Sequence, residues 1–213
     1  MGMKGRLTLS AVVGVVVIGV VSANAGAEHS ATGKKNTGTT KAAEKKKAAF
    51  DGNGDFRVGT DIKPGTYRTS GNTDGMCYWE RAKDASGDTD SLLANDKVSG
   101  AGYVTVKATD KIFKSSGCKD WEAAVDAKVQ GSPATKMAGD GGMFKVGVDI
   151  APGTYRSTGN KDDLCYWERA KDAEHGLDSI LANDNVTGTA VVTISAKDAY
   201  FKTTDCKNWT KTA

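Results

Sequence analysis

Cys77-Tyr78-Trp79-Glu80-Arg81 decides the reading of this chain, because it returns 88 residues later as Cys165-Tyr166-Trp167-Glu168-Arg169. Outward from this stretch, the same offset carries Phe56–Trp121 onto Phe144–Trp209 without a gap. Pro64-Gly65-Thr66-Tyr67-Arg68 becomes Pro152-Gly153-Thr154-Tyr155-Arg156, and Cys118 and Trp121 become Cys206 and Trp209. A period near 90 residues is too long for one solenoid turn and suits a small domain. The repeated piece is therefore expected to be a complete folding unit.

Each unit is patterned as strands. The Cys77 stretch is rich in residues that favour a pleated, half-buried surface. Alternation places Cys77, Trp79 and Arg81 on one face and Tyr78 and Glu80 on the other. Phe56-Arg57-Val58, Thr66-Tyr67-Arg68, Tyr103-Val104-Thr105-Val106 and Ile112-Phe113-Lys114 read as further short strands, with a turn at Lys63-Pro64-Gly65. Ser91-Leu92-Leu93-Ala94 is assigned to a strand. Ala94-Asn95-Asp96 and Ala182-Asn183-Asp184 are assigned to turns. The expected fold is all-β: two tandem antiparallel β-sandwich or partly open barrel domains.

The organisation read from the chain has five parts. Residues 1–25 form a signal peptide and 26–53 a disordered tail. Residues 54–121 are the first β domain, 122–143 a linker and 144–213 the second β domain. In the linker, Glu122–Gln130 suits about two helical turns. Gly131-Ser132-Pro133 breaks them and Gly139–Gly142 is flexible, so the domains are expected to move as beads without a catalytic cleft between them.

Lys4 and Arg6, the apolar run Leu7–Val21 and Ala23-Asn24-Ala25 have the layout of a cleaved export signal, leaving Gly26 first. An uncleaved anchor is the competing reading. No cysteine near the cleavage site offers a lipid attachment point. The following tail combines Lys34, Lys35, Lys41 and Lys45-Lys46-Lys47 with Gly, Thr, Ala and Asn, a composition that cannot offset its ordering entropy. Its lysines make either a solvated tether or a weak adhesion to an anionic cell wall or lipid surface. The basic balance of the chain, net +3, comes from the signal and tail. The repeats are close to neutral, and no nucleic-acid partner or stable membrane insertion after cleavage is expected.

All four cysteines lie at matching places in the repeats, which in an exported chain points to disulfides. Three pairings exist; independent folding of each copy selects Cys77–Cys118 and Cys165–Cys206. Zinc is disfavoured, because there is no C-x-x-C and neither His29 nor His175 recurs in the other copy.

Trp79 and Trp167 are expected in the core. Trp121 and Trp209 are expected as plugs held by the disulfides, with ligand stacking as the alternative. Arg81 and Arg169 are placed at the core rim, paired with an acid such as Asp61 or Asp90 in the first copy, or else recognising an anionic ligand. Tyr78, Glu80, Tyr166 and Glu168 are expected to face solvent, as a contact patch for protein or sugar or simply as a wet strand face. No catalytic residue, metal or cofactor is expected, since no histidine is shared between the copies. A carboxylate pair of Glu80 and Asp90 is the residual enzymatic reading. Asp51-Gly52-Asn53-Gly54-Asp55 resembles the start of a calcium loop but lacks its later Gly and Glu, and is read as a turn. Asn185-Val186-Thr187 and Asn208-Trp209-Thr210 match the N-glycosylation pattern.

The string Val-Gly-x-Asp-Ile-x-Pro-Gly-Thr-Tyr-Arg, then Cys-Tyr-Trp-Glu-Arg, Ala-Asn-Asp and Cys-x-x-Trp, resembles a domain common in secreted proteins and lipoproteins of actinobacteria. The resemblance covers Phe56–Trp121 and Phe144–Trp209. It implies an extracytoplasmic Gram-positive setting, a small β-rich domain and no established activity, and it carries over no catalytic residue. Unlike the lipoprotein members, this chain has no lipidation cysteine. The expected function is a secreted, non-enzymatic protein binding an unknown protein or cell-envelope polymer. The alternative is a secreted inhibitor or effector that binds another protein through the variable loop Asp84–Asp90 or its counterpart Asp172–Asp178.

Overall fold

A computed structural model describes residues 48–125 and 132–212, the side chain of Asp162 excepted. The expected signal peptide, most of the tail and the second half of the expected linker helix lie outside the described residues. Both repeats fall within one compact unit.

The described residues are all-β, with no α-helix. In the first repeat the strands are β1 (Gly54–Arg57), β2 (Gly65–Ala82), β3 (Leu92–Val106), β4 (Ile112–Ser116) and β5 (Glu122–Ala123). In the second they are β6 (Lys136–Met137), β7 (Gly142–Lys145), β8 (Gly153–Ala170), β9 (Ile180–Ile194), β10 (Tyr200–Thr204) and β11 (Trp209–Lys211). They join in an open sheet of order β1-β4-β2-β3-β7-β10-β8-β11-β6, with β5 added to β2 and β9 to β8. The strand pairs are antiparallel, except for the single Ala101–Gly142 bridge that links β3 to β7.

Phe56-Arg57 and Ile112–Lys114 lie in short strands, β1 and β4, as expected, but the other expected short strands merge into two long bent ones per repeat. Thr66–Arg68 and the Cys77 stretch belong to one strand, β2. Ala94-Asn95-Asp96, assigned to a turn, lies inside β3, opposite Glu80 and its neighbours. Bulges between Thr69 and Cys77 permit this, where Gly71 and Gly75 adopt φ +81° and +64°. The buried Asn72 replaces lost ladder bonds: its Nδ2 donates to Gly100 O (3.0 Å), and Lys119 N donates to its Oδ1 (2.8 Å). Asn160 does the same in the second repeat with Gly188 and Lys207.

Each repeat has its own core. In the first, Trp79, Val104, Val106, Phe113 and Trp121 pack around the Cys77–Cys118 bridge. In the second, Tyr155, Ile150, Ile194, Phe201 and Trp209 pack around Cys165–Cys206. The end of the stretch expected to be disordered belongs to the first core: Phe50 is buried against Phe56, Tyr67, Phe113 and Trp121, and it bridges to Trp121. A lone phenylalanine among lysines and glycines gave no periodic signal. The expected helix is also corrected at its start. Glu122 and Ala123 are a strand on Arg68 and Tyr67 of β2. Lys136–Met137 likewise pairs with β11, and β7 begins at Gly142, so the expected linker contributes three pieces of strand.

Candidate functional site

The two bridges are Cys77–Cys118 and Cys165–Cys206, each closing a span of 41 residues. In the chain-entropy model such a loop contributes about 4 kcal/mol. They fasten the middle of a long strand to the segment carrying the terminal tryptophan. Trp121 and Trp209 are fully buried, and their Nε1–H groups donate to Ser115 Oγ and Thr203 Oγ1 at 2.9 Å. They are the plugs the sequence suggested.

Arg81 is in the interior rather than at the rim. Its Nε and Nη2 donate to the two carboxylate oxygens of Asp110 at 2.7 and 3.0 Å, not to Asp61 or Asp90. Asp110 also accepts from Lys107 N, so the acid closes the turn before β4. Arg169 and Asp198 repeat the fork at 2.6 and 3.0 Å. Asp61 instead accepts from the backbone and side chain of Arg57, whose hydrogen bonds hold that carboxyl below the usual range. Pairing with an acid is as expected; the partner and the place are corrected, and Arg81 is a buried structural residue rather than a rim or ligand-contacting one. Spacing along the chain carries no signal for the right partner, because the fork joins β2 to a turn 29 residues away.

On the opposite face of β2, Tyr78 O–H donates to Glu80 Oε2 at 2.8 Å. Asn95 on β3 and Lys114 on β4 stand directly across from Glu80 and share its face. Tyr166, Glu168, Asn183 and Lys202 repeat the quartet, with Tyr166 donating to Glu168 at 2.7 Å and Asn183 donating to Tyr166. Burial first, and the Glu168 acceptor second, push the Tyr166 hydroxyl up to about 12. The expected solvent exposure is met only in part, since Tyr78, Glu80 and Tyr166 are half-buried. Glu168 is buried, 8% exposed, because the first repeat lies against it.

That contact replaces the beads-on-a-linker expectation. Lys202 Nζ lies 2.7 Å from Asp96 Oδ1 of the first repeat. His175 Nε2–H donates to Tyr103 O at 2.7 Å, and its ring meets Trp79 edge-on. Arg81 Nη1 donates to Glu174 O, Thr105 N to Ala173 O and Ala101 N to Gly141 O, at 2.7–2.9 Å. Tyr103 packs on Tyr200 and Met143 and donates to Asp149 Oδ2 at 2.7 Å. Arg68 stacks over the Tyr103 ring and faces the same Asp149. The backbones touch where a side chain has no room: a Cβ at Gly100 would meet Gly141 O at 2.3 Å, and one at Gly142 would meet Ala101 O at 2.1 Å.

The junction explains why the loops Asp84–Asp90 and Asp172–Asp178 differ in sequence. The second is a docking loop, with Ala173, Glu174 and His175 all bonded to the first repeat. The first is exposed throughout.

The fold and site define a class: a disulfide-stapled, all-β module, duplicated and docked on itself. The chain belongs to the Rv1352-like extracellular domain family, whose model matches it twice, at residues 48–122 and 135–210. It is extracellular, and its two copies fill most of its length. It is 34% identical over 86 residues to the uncharacterized protein Rv1352 of Mycobacterium tuberculosis (strain H37Rv), covering 35% of this chain and 69% of that protein. The uncharacterized protein Mb1387 of Mycobacterium bovis matches to the same extent. No solved structure matches.

Proposed function

We propose that this is a non-enzymatic extracellular binding protein whose contact surface is the outer face of the first repeat, carrying Tyr78, Glu80, Asn95 and Lys114. One observation supports it. The second copy of the quartet already holds a carboxylate from outside its own repeat, Asp96 on Lys202 at 2.7 Å, whereas Lys114 is exposed. A face that receives an acidic group in one copy suits an acidic group in the other. Its partner is a carboxylate-bearing surface outside the cell, on an envelope polymer or on a protein. The internal junction occupies the second quartet, so one open face per molecule is on offer rather than two.

Titration of the purified protein against isolated cell wall and against vesicles of anionic lipid tests this reading. Saturable binding weakened at least about tenfold by Lys114→Glu is expected, since like charges facing each other across a contact cost several kcal/mol. Binding insensitive to Lys114→Glu would overturn the assignment of the face. Turnover of any substrate, abolished by Glu80→Gln with Glu168→Gln, would overturn the non-enzymatic reading.

A further inference from the structure

The internal junction joins two unlike faces of the same repeat, so one of each is left over at the ends of the molecule. One face surrounds the edge of β3 that meets β7 and includes Trp79, Asp96 and Tyr103. The other surrounds the edge of β7 and includes Lys202 and the docking loop. The counterpart of β3 is β9, which among the described residues pairs only with β8; the counterpart of β7 is β1, which among them pairs only with β4. What the junction covers in the first repeat is bare in the second. Trp79 is fully buried while Trp167 is only half-buried, and Tyr103 is 3% exposed while Val191, at its place, is 59% exposed.

We propose that these two leftover faces dock on one another between copies of this chain, head to tail, reproducing the internal junction. The inference rests on reading the Lys114 face as a binding face, and it names the partner as a second copy. The polar frame of the junction survives at both ends. Asp184 stands for Asp96 and Lys114 for Lys202, so the same ion pair can form. Arg156 stands for Arg68 and Asp61 for Asp149. Gly188 and Gly54 stand for Gly100 and Gly142, so the close backbone approach stays open. Asp184, Lys114 and Arg156 are all exposed. The packing side chains are not kept: Gly87 replaces His175 and Asp55 replaces Met143. Docking between molecules is therefore weaker than docking within one. The contact is heterologous, since each face meets a different one, and such contacts build rings or open chains. They also cover two strand edges otherwise open to indiscriminate pairing.

Sedimentation velocity of the purified protein at rising concentration tests the proposal, with Lys114→Glu and Asp184→Lys as charge reversals at opposite ends. The protein is expected to associate, and each variant alone is expected to need about tenfold or more higher concentration to do so. An equimolar mixture of the two variants pairs Glu with Lys and Lys with Asp, so it is expected to associate like the native protein. That recovery also shows that both variants fold. A protein that stays monomeric up to about 1 mM, the weak end of specific association, would overturn the proposal. So would association indifferent to both reversals, or a mixture that fails to recover. Asp184→Lys separates this inference from the binding reading. Cell-wall binding by the Lys114 face should survive that substitution, whereas self-association should not. A monomer whose wall binding responds to Lys114→Glu alone removes the second copy as partner and leaves the binding face standing.

Discussion

His175 stands edge-on to Trp79 with ring centroids 4.8 Å apart, although the two belong to different repeats. The first repeat has Gly87 where the second has His175, so this contact has no counterpart elsewhere in the chain. It converts a duplicated sequence into one body with two unequal halves.

Replacing His175 with Gly tests how much the contact contributes. His175 sits at φ +59°, a backbone conformation Gly adopts freely, so the substitution adds no strain of its own. Loss of an aromatic pair and of one hydrogen bond is expected to cost about 2 kcal/mol. Urea unfolding should report that loss, and tryptophan emission should shift to the red as Trp79 is uncovered.

Stability should also depend on pH through the same residue. Burial holds His175 below its ordinary value, against the opposing pull of Asp96, the Tyr103 carbonyl and Glu168, while Lys202 adds to the depression. The folded protein therefore favours the neutral ring, and the unfolded chain binds the proton more readily. The contribution of His175 is complete above about pH 6.5, the ordinary histidine value. It declines as pH falls from there toward the depressed folded value, by at most about 1.4 kcal/mol per pH unit. Unfolding free energies should be level in His175's contribution from pH 8 to about 6.5 and fall toward pH 5 in the native protein, and His175→Gly should remove that fall.

The two arginine forks should differ in weight. Side-chain exposure is 5% for Arg81 against 26% for Arg169, over similarly buried aspartates. Arg81→Ala strands Asp110 in the interior and should cost about 3–5 kcal/mol. Arg169→Ala leaves Asp198 within reach of water and should cost clearly less. Equal losses in denaturant titrations would contradict the assignment of Arg81 as the more deeply committed residue.

Thermal unfolding should be a single cooperative transition in calorimetry. Autonomous repeats would give two, with one lost when Cys165 and Cys206 are both changed to Ser. Because Tyr103, Met143 and Tyr200 form a core shared by both repeats, removing the second disulfide should instead lower one common transition. The expected loss is about 4 kcal/mol.

Much of the fold was legible because duplication is itself a signal. The cysteine pairing, the buried terminal tryptophans and the strand character of Cys77–Arg81 follow from local patterning within one repeat. Strand lengths did not, because Gly71, Asn72 and Gly75 look like a loop until Asn72 is seen restoring the ladder from its side chain. Phe50 was missed for want of any periodic neighbour. The Tyr78–Glu80 face was legible from alternation alone, but the closing of its second copy was not.

By itself the sequence determined that there are two copies of one β unit, which cysteines join and which face of β2 turns inward, since composition and alternation act over a few residues. Only the tertiary structure decided that the copies share a sheet, that Arg81 takes Asp110, and that Trp79 is covered where Trp167 is not. Those outcomes depend on which surfaces meet across space. Identical strings such as Cys-Tyr-Trp-Glu-Arg acquire different burial because each meets the other repeat with a different face: Trp79 is covered in the first, Glu168 in the second.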